Sequence, residues 1–232
     1  IDARAVEGAS AQRFSFSEPD EYSTSLFAAR AAKIIDEHGA SASLFLTLAF
    51  NAVHNIVSTP SGFGSTDAGK RAHKETKHSG DASLRETFAG ALSLVDAGVA
   101  TVYDPLRSSG LYNRTVLVVV SDNGGMVKNG GNNYPLRGEK ATFWEGGYRV
   151  PAFVHSALLP RSAHGAVCRA LVHATDWAPT LLAGLLASPD SVGETDGVDQ
   201  WATLMSGCAS DGPRTEVLHD IYYLKDVARE KV

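Results

Sequence analysis

Four side chains in this sequence could do polar chemistry on an anion. Asp122 and Asn123 lie in "SDNGG", directly after the apolar run "TVLVVV" (Thr115–Val120). A carboxylate and an amide carbonyl are hard oxygen donors, suited to Ca²⁺ or Mg²⁺ and poorly suited to soft metals. The same Asp-Asn-Gly-Gly string is also good turn sequence without any metal, so both readings stand at this point. Lys140 follows in "GEK", past two glycine pairs. Its ammonium is a compact point charge for an oxyanion. His54 closes "NAVH", after the apolar run "SLFLTLAF" (Ser43–Phe50), and imidazole binds or carries protons near neutral pH. Read singly, the lysine is a solvated surface group and the histidine a structural one.

Position links them. Ligand sites in open α/β sheets gather beyond the carboxyl ends of the strands. The β-branched run "TVLVVV", apolar on both faces, reads as a central parallel strand. "SLFLTLAF" reads as a second buried strand and "YRVPAFVHS" (Tyr148–Ser156) as a third. Helical periodicity places Leu26, Phe27, Ala31, Ile34 and Ile35 on one face, capped by Ser23 or Thr24 and closed by Gly39. A longer helix carries Leu84, Phe88, Leu92, Val95, Val99 and Val102, and Pro105 is expected to end or kink it near Val102–Asp104. A third starts near Thr175 or Asp176 and turns Leu181, Leu182, Leu185 and Leu186 inward. "VDQWATLMSG" reads as a short helix and "EVLHDIYY" as a final strand. Residues 1–20 show no clear period and read as an irregular lead-in. Residues 55–81 are polar and glycine-rich and read as a surface loop, with "HKETKH" a solvated charged stretch rather than a metal site. The alternation of helix and strand makes this an α/β chain.

The 232 residues can fill a sizeable core, with hydrophobic residues at 44%. A formal net charge of -5 and the lack of a basic patch argue against a nucleic-acid partner. No apolar run is long enough to span a bilayer. The two cysteines, Cys168 and Cys208, are either bridged or two free buried thiols. Asn113-Arg114-Thr115 is a glycosylation sequon, relevant in a secretory compartment.

The string "SDNGGMVKNGGNNYPLRGEKATFWEGGYRVPAFV" resembles the arylsulfatases, with the arylsulfatase B (N-acetylgalactosamine-4-sulfatase) branch nearest. "YSTSLFAARAAKIID", "LFLTLAFNAVH", "LSLVDAGVATVYDPLRSSGLYNRTV", "HATDWAPTLL" and "EVLHDI" resemble successive segments of that family in the same order, so the likeness runs from Tyr22 to Tyr222. The resemblance implies an alkaline-phosphatase-like fold: a large mixed sheet between helices, followed by a small C-terminal subdomain. On this chain it implies part of the catalytic domain over 1–160 and the remainder, leading into the subdomain, over 161–232. It implies hydrolysis of sulfate esters by a formylglycine nucleophile with Ca²⁺, and a sulfated glycan among the substrates. Asp122 and Asn123 fall on a pair of Ca²⁺ ligands, Lys140 on the sulfate-binding lysine, and His54 on a histidine that contacts the sulfate ester. A lysosomal or secreted location is implied too.

The family's nucleophile motif, Cys/Ser-x-Pro-x-Arg, has no match here. "STPSG" (Ser58–Gly62) has serine and proline but Gly62 in place of arginine, and it follows His54 rather than preceding it. The tandem aspartates and the early Lys-x-His segment of the family are missing as well. The expectation is therefore the second half of a sulfatase: a fragment, a half-enzyme completed by another chain, or a non-catalytic protein that binds sulfated glycans. Two Ca²⁺ ligands are too few for an ion that takes six to eight oxygens, so the chain by itself is expected to be inactive.

Overall fold

The computed structural model describes residues 2–7, 10–15, 22–39, 42–55, 57–77 and 82–219. These form two compact units, one comprising Ile1–Tyr112 with Val120–Ala152, the other Asn113–Val119 with Phe153–Val232.

The first unit opens with a hairpin where the sequence suggested an irregular lead-in. Strands β1 (Asp2–Glu7) and β2 (Ser10–Ser15) pair antiparallel, from Asp2 opposite Ser15 to Glu7 opposite Ser10. The alternation in "DARAVE" mixes charged and apolar residues at both parities, so no period-2 signal emerges from it.

Helix α1 (Ser23–His38) buries Thr24, Ala28, Ala31 and Ile35, a stripe at three- and four-residue spacing. Neither Ser23 nor Thr24 caps it. The N-cap position falls on Tyr22 without a side-chain bond, because Thr24 is drawn into the buried stripe. Gly39 closes it at φ 67°. The stripe packs on α3 (Ala82–Ser108), where Ala91 and Gly98 present a small surface. A Cβ on Gly98 would stand 3.0 Å from the Phe50 ring. Leu84 and Leu92, expected on the apolar face of α3, are exposed, while Val102 and Leu106 join Ala31, Ile35 and Leu111 in the core. Tyr103 and Tyr112 meet edge to face at 5.4 Å beside it.

Pro105 does not end α3. The helix runs to Ser108. Proline removes the bond to the carbonyl of Thr101, which lies on the exposed side. Ser109 secures the end: its N–H and its Oγ both donate to the Pro105 carbonyl, at 3.1 and 2.6 Å.

The expected loop at 55–81 contains a helix, α2 (Asp67–Thr76). Thr66 caps it, its Oγ1 accepting from the Gly69 N–H at 3.0 Å, and Asp67 faces the positive end of the helix dipole. That cap was the overlooked signal. In "HKETKH", His73 pairs with Glu86 of α3 at 2.8 Å, and His78 lies outside the described residues.

Ser43–Phe50 is not a ladder strand. Leu44, Phe45 and Leu46 are exposed, Phe45 to 84%, while Leu48 leans on the helical core and the Phe50 ring on Gly98 of α3. An apolar run becomes a strand only where neighbours satisfy its backbone, and the described residues supply none. The other two expected strands exist in shorter form. Strands β3 (Leu117–Val120) and β4 (Ala152–His155) are neighbours in a two-stranded sheet. Between them in sequence comes the short helix α4 (Glu145–Tyr148).

In the second unit, residues 174–185 form one helical run, with α5 (Trp177–Pro179) between a 3-10 turn and a π-helical stretch. His173 rather than Thr175 or Asp176 caps it, and the Asp176 carboxylate reaches back to the His173 N–H at 2.8 Å. Helix α6 (Trp201–Met205) forms as expected, whereas Glu216–His219 is not a strand and the rest of "EVLHDIYY" lies outside the described residues. No described helix is long and apolar enough to cross a membrane.

Cys168 and Cys208 are joined in a disulfide, which decides between the two sequence readings. Closing a loop of this length stabilises by about 4 kcal/mol in the chain-entropy model. Replacing both cysteines with serine is expected to lower unfolding stability by roughly that amount, measured by denaturant titration. An unchanged midpoint would show that the bridge adds nothing.

Candidate active site

The loop from Ser121 to Gly147 is held by backbone meeting backbone. The Gly124 N–H donates to the Gly147 carbonyl at 2.9 Å, and a Cβ on Gly124 would collide with the carbonyl of Gly146. Gly147 in turn lies against the carbonyls of Glu139 and Thr142, where a side chain has no room. The segment after β3 is thereby fixed beside the turn that carries Lys140. Gly124→Ala is expected to destabilise the protein by roughly 1–3 kcal/mol through this overlap, read as a lower midpoint in a denaturant titration. A wild-type midpoint would show that the loop can open at no cost.

Asn133, which sequence reasoning passed over, is the clamp. Its amide accepts from the Gly125 N–H at 2.9 Å and donates to the carbonyls of Gly125 and Gly138 at 2.7 and 3.1 Å. The guanidinium of Arg137 stacks 3.6 Å from the Trp144 ring centroid, joining "LRG" to "WEGG". Arg85 of α3 donates to the Gly130 carbonyl at 2.8 Å.

Lys140 projects from a tight turn. The Thr142 N–H donates to the Glu139 carbonyl at 3.0 Å, and the Thr142 Oγ1 donates to the same oxygen at 2.7 Å. Ala141 adopts φ 67°, a left-handed conformation that costs a non-glycine residue about 1 kcal/mol. The turn directs Lys140 at His54: Nζ lies 3.1 Å from Nε2, across 86 positions of sequence.

His54 is oriented from its other side. Its Nδ1 lies 2.9 Å from the Asn55 carbonyl oxygen. A carbonyl only accepts, so Nδ1 carries the hydrogen and Nε2 presents its lone pair to the Lys140 ammonium. The pair thus holds one positive charge and one transferable proton at a single exposed point. That arrangement suits an oxyanion with a leaving oxygen to protonate. A cleft of about 80 Å³ adjoins it, lined by Tyr22, Asn51, His54, Ser58 and Ala91 among others. The Tyr22 hydroxyl donates to the Ser58 carbonyl at 3.0 Å, and burial pushes its phenol up, so it stays a neutral donor.

Two of the four sequence candidates are therefore in contact. The other two, Asp122 and Asn123, share the loop but make no side-chain hydrogen bond to Lys140 or His54. Asp122 is exposed and Asn123 half-buried, and the Asn123 carbonyl accepts from Ser121 Oγ at 3.0 Å. Among the described residues no group of three or more His, Cys, Asp or Glu could hold a metal ion. Asp122 and Asn123 are the right type of donor for Ca²⁺, but by themselves they are an incomplete set.

A family model described as Sulfatase matches residues 4–185. The chain belongs to the sulfatase family. Arylsulfatase J of Mus musculus is 38% identical over 200 residues, which is 86% of this chain and 31% of that protein. N-acetylgalactosamine-6-sulfatase of Rattus norvegicus is 32% identical over 136 residues, 56% of this chain and 25% of that protein. The chain therefore spans a third or less of the length of these relatives. The crystal structure of Ps i-CgsB in complex with k-i-k-neocarrahexaose aligns with a TM-score of 0.69 at 26% identity, covering 85% of this chain and 42% of the other. The expected alkaline-phosphatase-like α/β sulfatase fold is thus present in part.

Proposed function

We propose that this chain supplies the sulfate-binding portion of a sulfuric ester hydrolase that uses formylglycine and Ca²⁺. The observation that carries the reading is the contact of Lys140 with His54 at 3.1 Å. Two residues picked out separately by sequence meet at one point, with a charge and a proton suited to a sulfate ester. Lys140 binds a non-bridging oxygen of the sulfate, and His54, once it has taken a proton on Nε2, binds or protonates the bridging oxygen. Asp122 and Asn123 would hold Ca²⁺ together with further oxygen ligands from outside these 232 residues. Bound there, Ca²⁺ would supply Lewis-acid stabilisation of charge on the sulfate oxygens. The nucleophile likewise comes from outside this sequence, from the first half of a longer sulfatase of which this chain is the second, or from a separate chain. A closer placement beside arylsulfatase B and a lysosomal or secreted location are part of the same reading. The disulfide fits an oxidising compartment, and Asn113 is exposed at the turn before β3, where a glycan could be carried.

The 232-residue chain assayed alone with 4-nitrocatechol sulfate and Ca²⁺ is expected to show no turnover. Coproduction with a sulfatase segment that carries Cys-x-Pro-x-Arg and the tandem aspartates is expected to restore it. Hydrolysis by the chain alone would overturn the division of the site. A second reading, a non-catalytic binder of sulfated glycans, is favoured by the lack of a Cys/Ser-x-Pro-x-Arg match in these 232 residues. It predicts glycan binding and no hydrolysis in either preparation.

A further inference from the structure

A larger cleft, of about 330 Å³, lies on the first unit where the turn at Phe63–Ser65, α2 and α3 converge. Its walls include Thr59, Phe63, Ala72, Ser83, Glu86 and Thr87. The volume is that of a small-ligand site. Three hydroxyls, one carboxylate and one aromatic ring form its chemistry. The Glu86 carboxylate is held in place by His73 Nδ1 at 2.8 Å.

That inventory selects its ligand. A carboxylate accepts strongly from hydroxyl groups, the Thr59 and Ser83 hydroxyls donate or accept in turn, Thr87 Oγ1, which donates to the Ser83 carbonyl at 3.0 Å, accepts, and the Phe63 ring offers an apolar face. Glu86 repels sulfate. The cleft therefore suits a neutral ring bearing several hydroxyls, not a second anion.

It also adjoins the Lys140–His54 site. Ser58 lines the small cleft of His54, and its chain neighbour Thr59 lines the larger one. Their Cα atoms are separated by about 3.8 Å, the spacing of one trans peptide. The strap that carries them lies on α3 at Gly90, where a Cβ would come within 2.7 Å of the Phe63 ring and 3.0 Å of Thr59 Cγ2. Gly90 thus sets the depth at which the strap sits.

We propose that this cleft is a subsite for an unsulfated sugar ring next to the ring whose sulfate is held by Lys140 and His54. The proposal rests on the sulfate-binding reading for its neighbour but not for its own ligand. The substrate class is then an oligosaccharide in which sulfated and unsulfated rings adjoin, rather than a small aryl sulfate.

The test measures equilibrium binding to the 232-residue chain of three probes: inorganic sulfate, a neutral galactose hexasaccharide, and the same hexasaccharide carrying one sulfate. The neutral hexasaccharide is expected to bind wild type and Lys140→Ala equally, and to bind Glu86→Gln about tenfold more weakly. Thr59→Val, which removes a hydroxyl without touching the ion pair, is expected to weaken it as well. Inorganic sulfate should show the opposite pattern, lost in Lys140→Ala and kept in Glu86→Gln. The sulfated hexasaccharide should bind more tightly than either and weaken with either variant. Failure of the neutral hexasaccharide to bind wild type, or equal binding to wild type, Glu86→Gln and Thr59→Val, overturns the subsite whatever sulfate does. Failure of sulfate alone strikes only the Lys140 reading.

Discussion

In an assembled sulfatase that contains this chain, Lys140→Ala will lower kcat/KM for an aryl sulfate by about 10²–10³-fold, the usual effect of deleting one preorganised donor to a developing oxyanion. The cause is local. Lys140 is held by a turn with a left-handed Ala141, and its ammonium is aimed at the Nε2 of His54. Removing it deletes the charge that holds a non-bridging oxygen and frees His54 from its partner. Lys140→Arg keeps the charge but not the geometry, because a planar fork cannot occupy the place of a point donor, so only part of the rate should return. His54→Ala should be comparably severe. The double variant should lose less than the product of the single losses, because both act through one contact. Steady-state kinetics on the four variants decide the matter. A fall of less than about threefold in Lys140→Ala would remove this lysine from the sulfate site.

The largest effect on stability is expected in the second unit. The Asp176 side chain is fully buried and forms an ion pair with Arg214 at 2.6 Å. It also accepts from the backbone N–H groups of His173 and Val198, at 2.8 and 2.9 Å, and from the Gln200 amide at 3.4 Å. Arg214 extends the network to the carbonyls of Asp196 and Glu216. Asp176→Ala leaves a guanidinium and two backbone donors without their acceptor, a loss of roughly 3–5 kcal/mol. Denaturant unfolding measures it, and a loss under about 1 kcal/mol would show that water replaces the carboxylate. The charge also carries a pH dependence. Burial alone would push the Asp176 carboxyl up. Arg214, with the donors of His173, Val198 and Gln200, outweighs that and holds it below its usual value. A carboxyl lowered by folding stabilises fully above its unfolded pKa, and the contribution is lost as pH falls through the lower folded value. Wild type should therefore lose stability in acid, below the ordinary carboxylate range, where Asp176→Asn should lose less.

Helices with a clear stripe were legible in the sequence, as was the loop around Lys140. The positions of Ala31 and Ile35 followed from periodicity alone, whereas Lys140 and His54, ordinary when read singly, were singled out by the family resemblance. Their contact across 86 positions was not legible, because no local pattern encodes which loops meet. Helix α2 was missed because its polar composition outweighed the Thr66 cap in the reading. Ser43–Phe50 was over-read, since apolar residues announce a wish for burial and not the presence of a partner. Asn133 and Asp176 escaped for a related reason. Each earns its role from several backbone groups that converge only in the fold, and neither residue type signals that in one dimension.

The loop that holds Lys140 is shaped by peptide groups touching peptide groups at Gly124, Gly146 and Gly147. Such contacts leave natural selection little to adjust, since almost any added side chain is a clash. On the proposed reading the anion site is in that sense frozen, and a change of substrate must find its freedom elsewhere. In this chain the strap from Val57 to Thr66, bordered by hydroxyls and one carboxylate, is a surface where substitution changes chemistry without disturbing that backbone. New substrates would be acquired there while the loop proposed to handle sulfate is inherited whole.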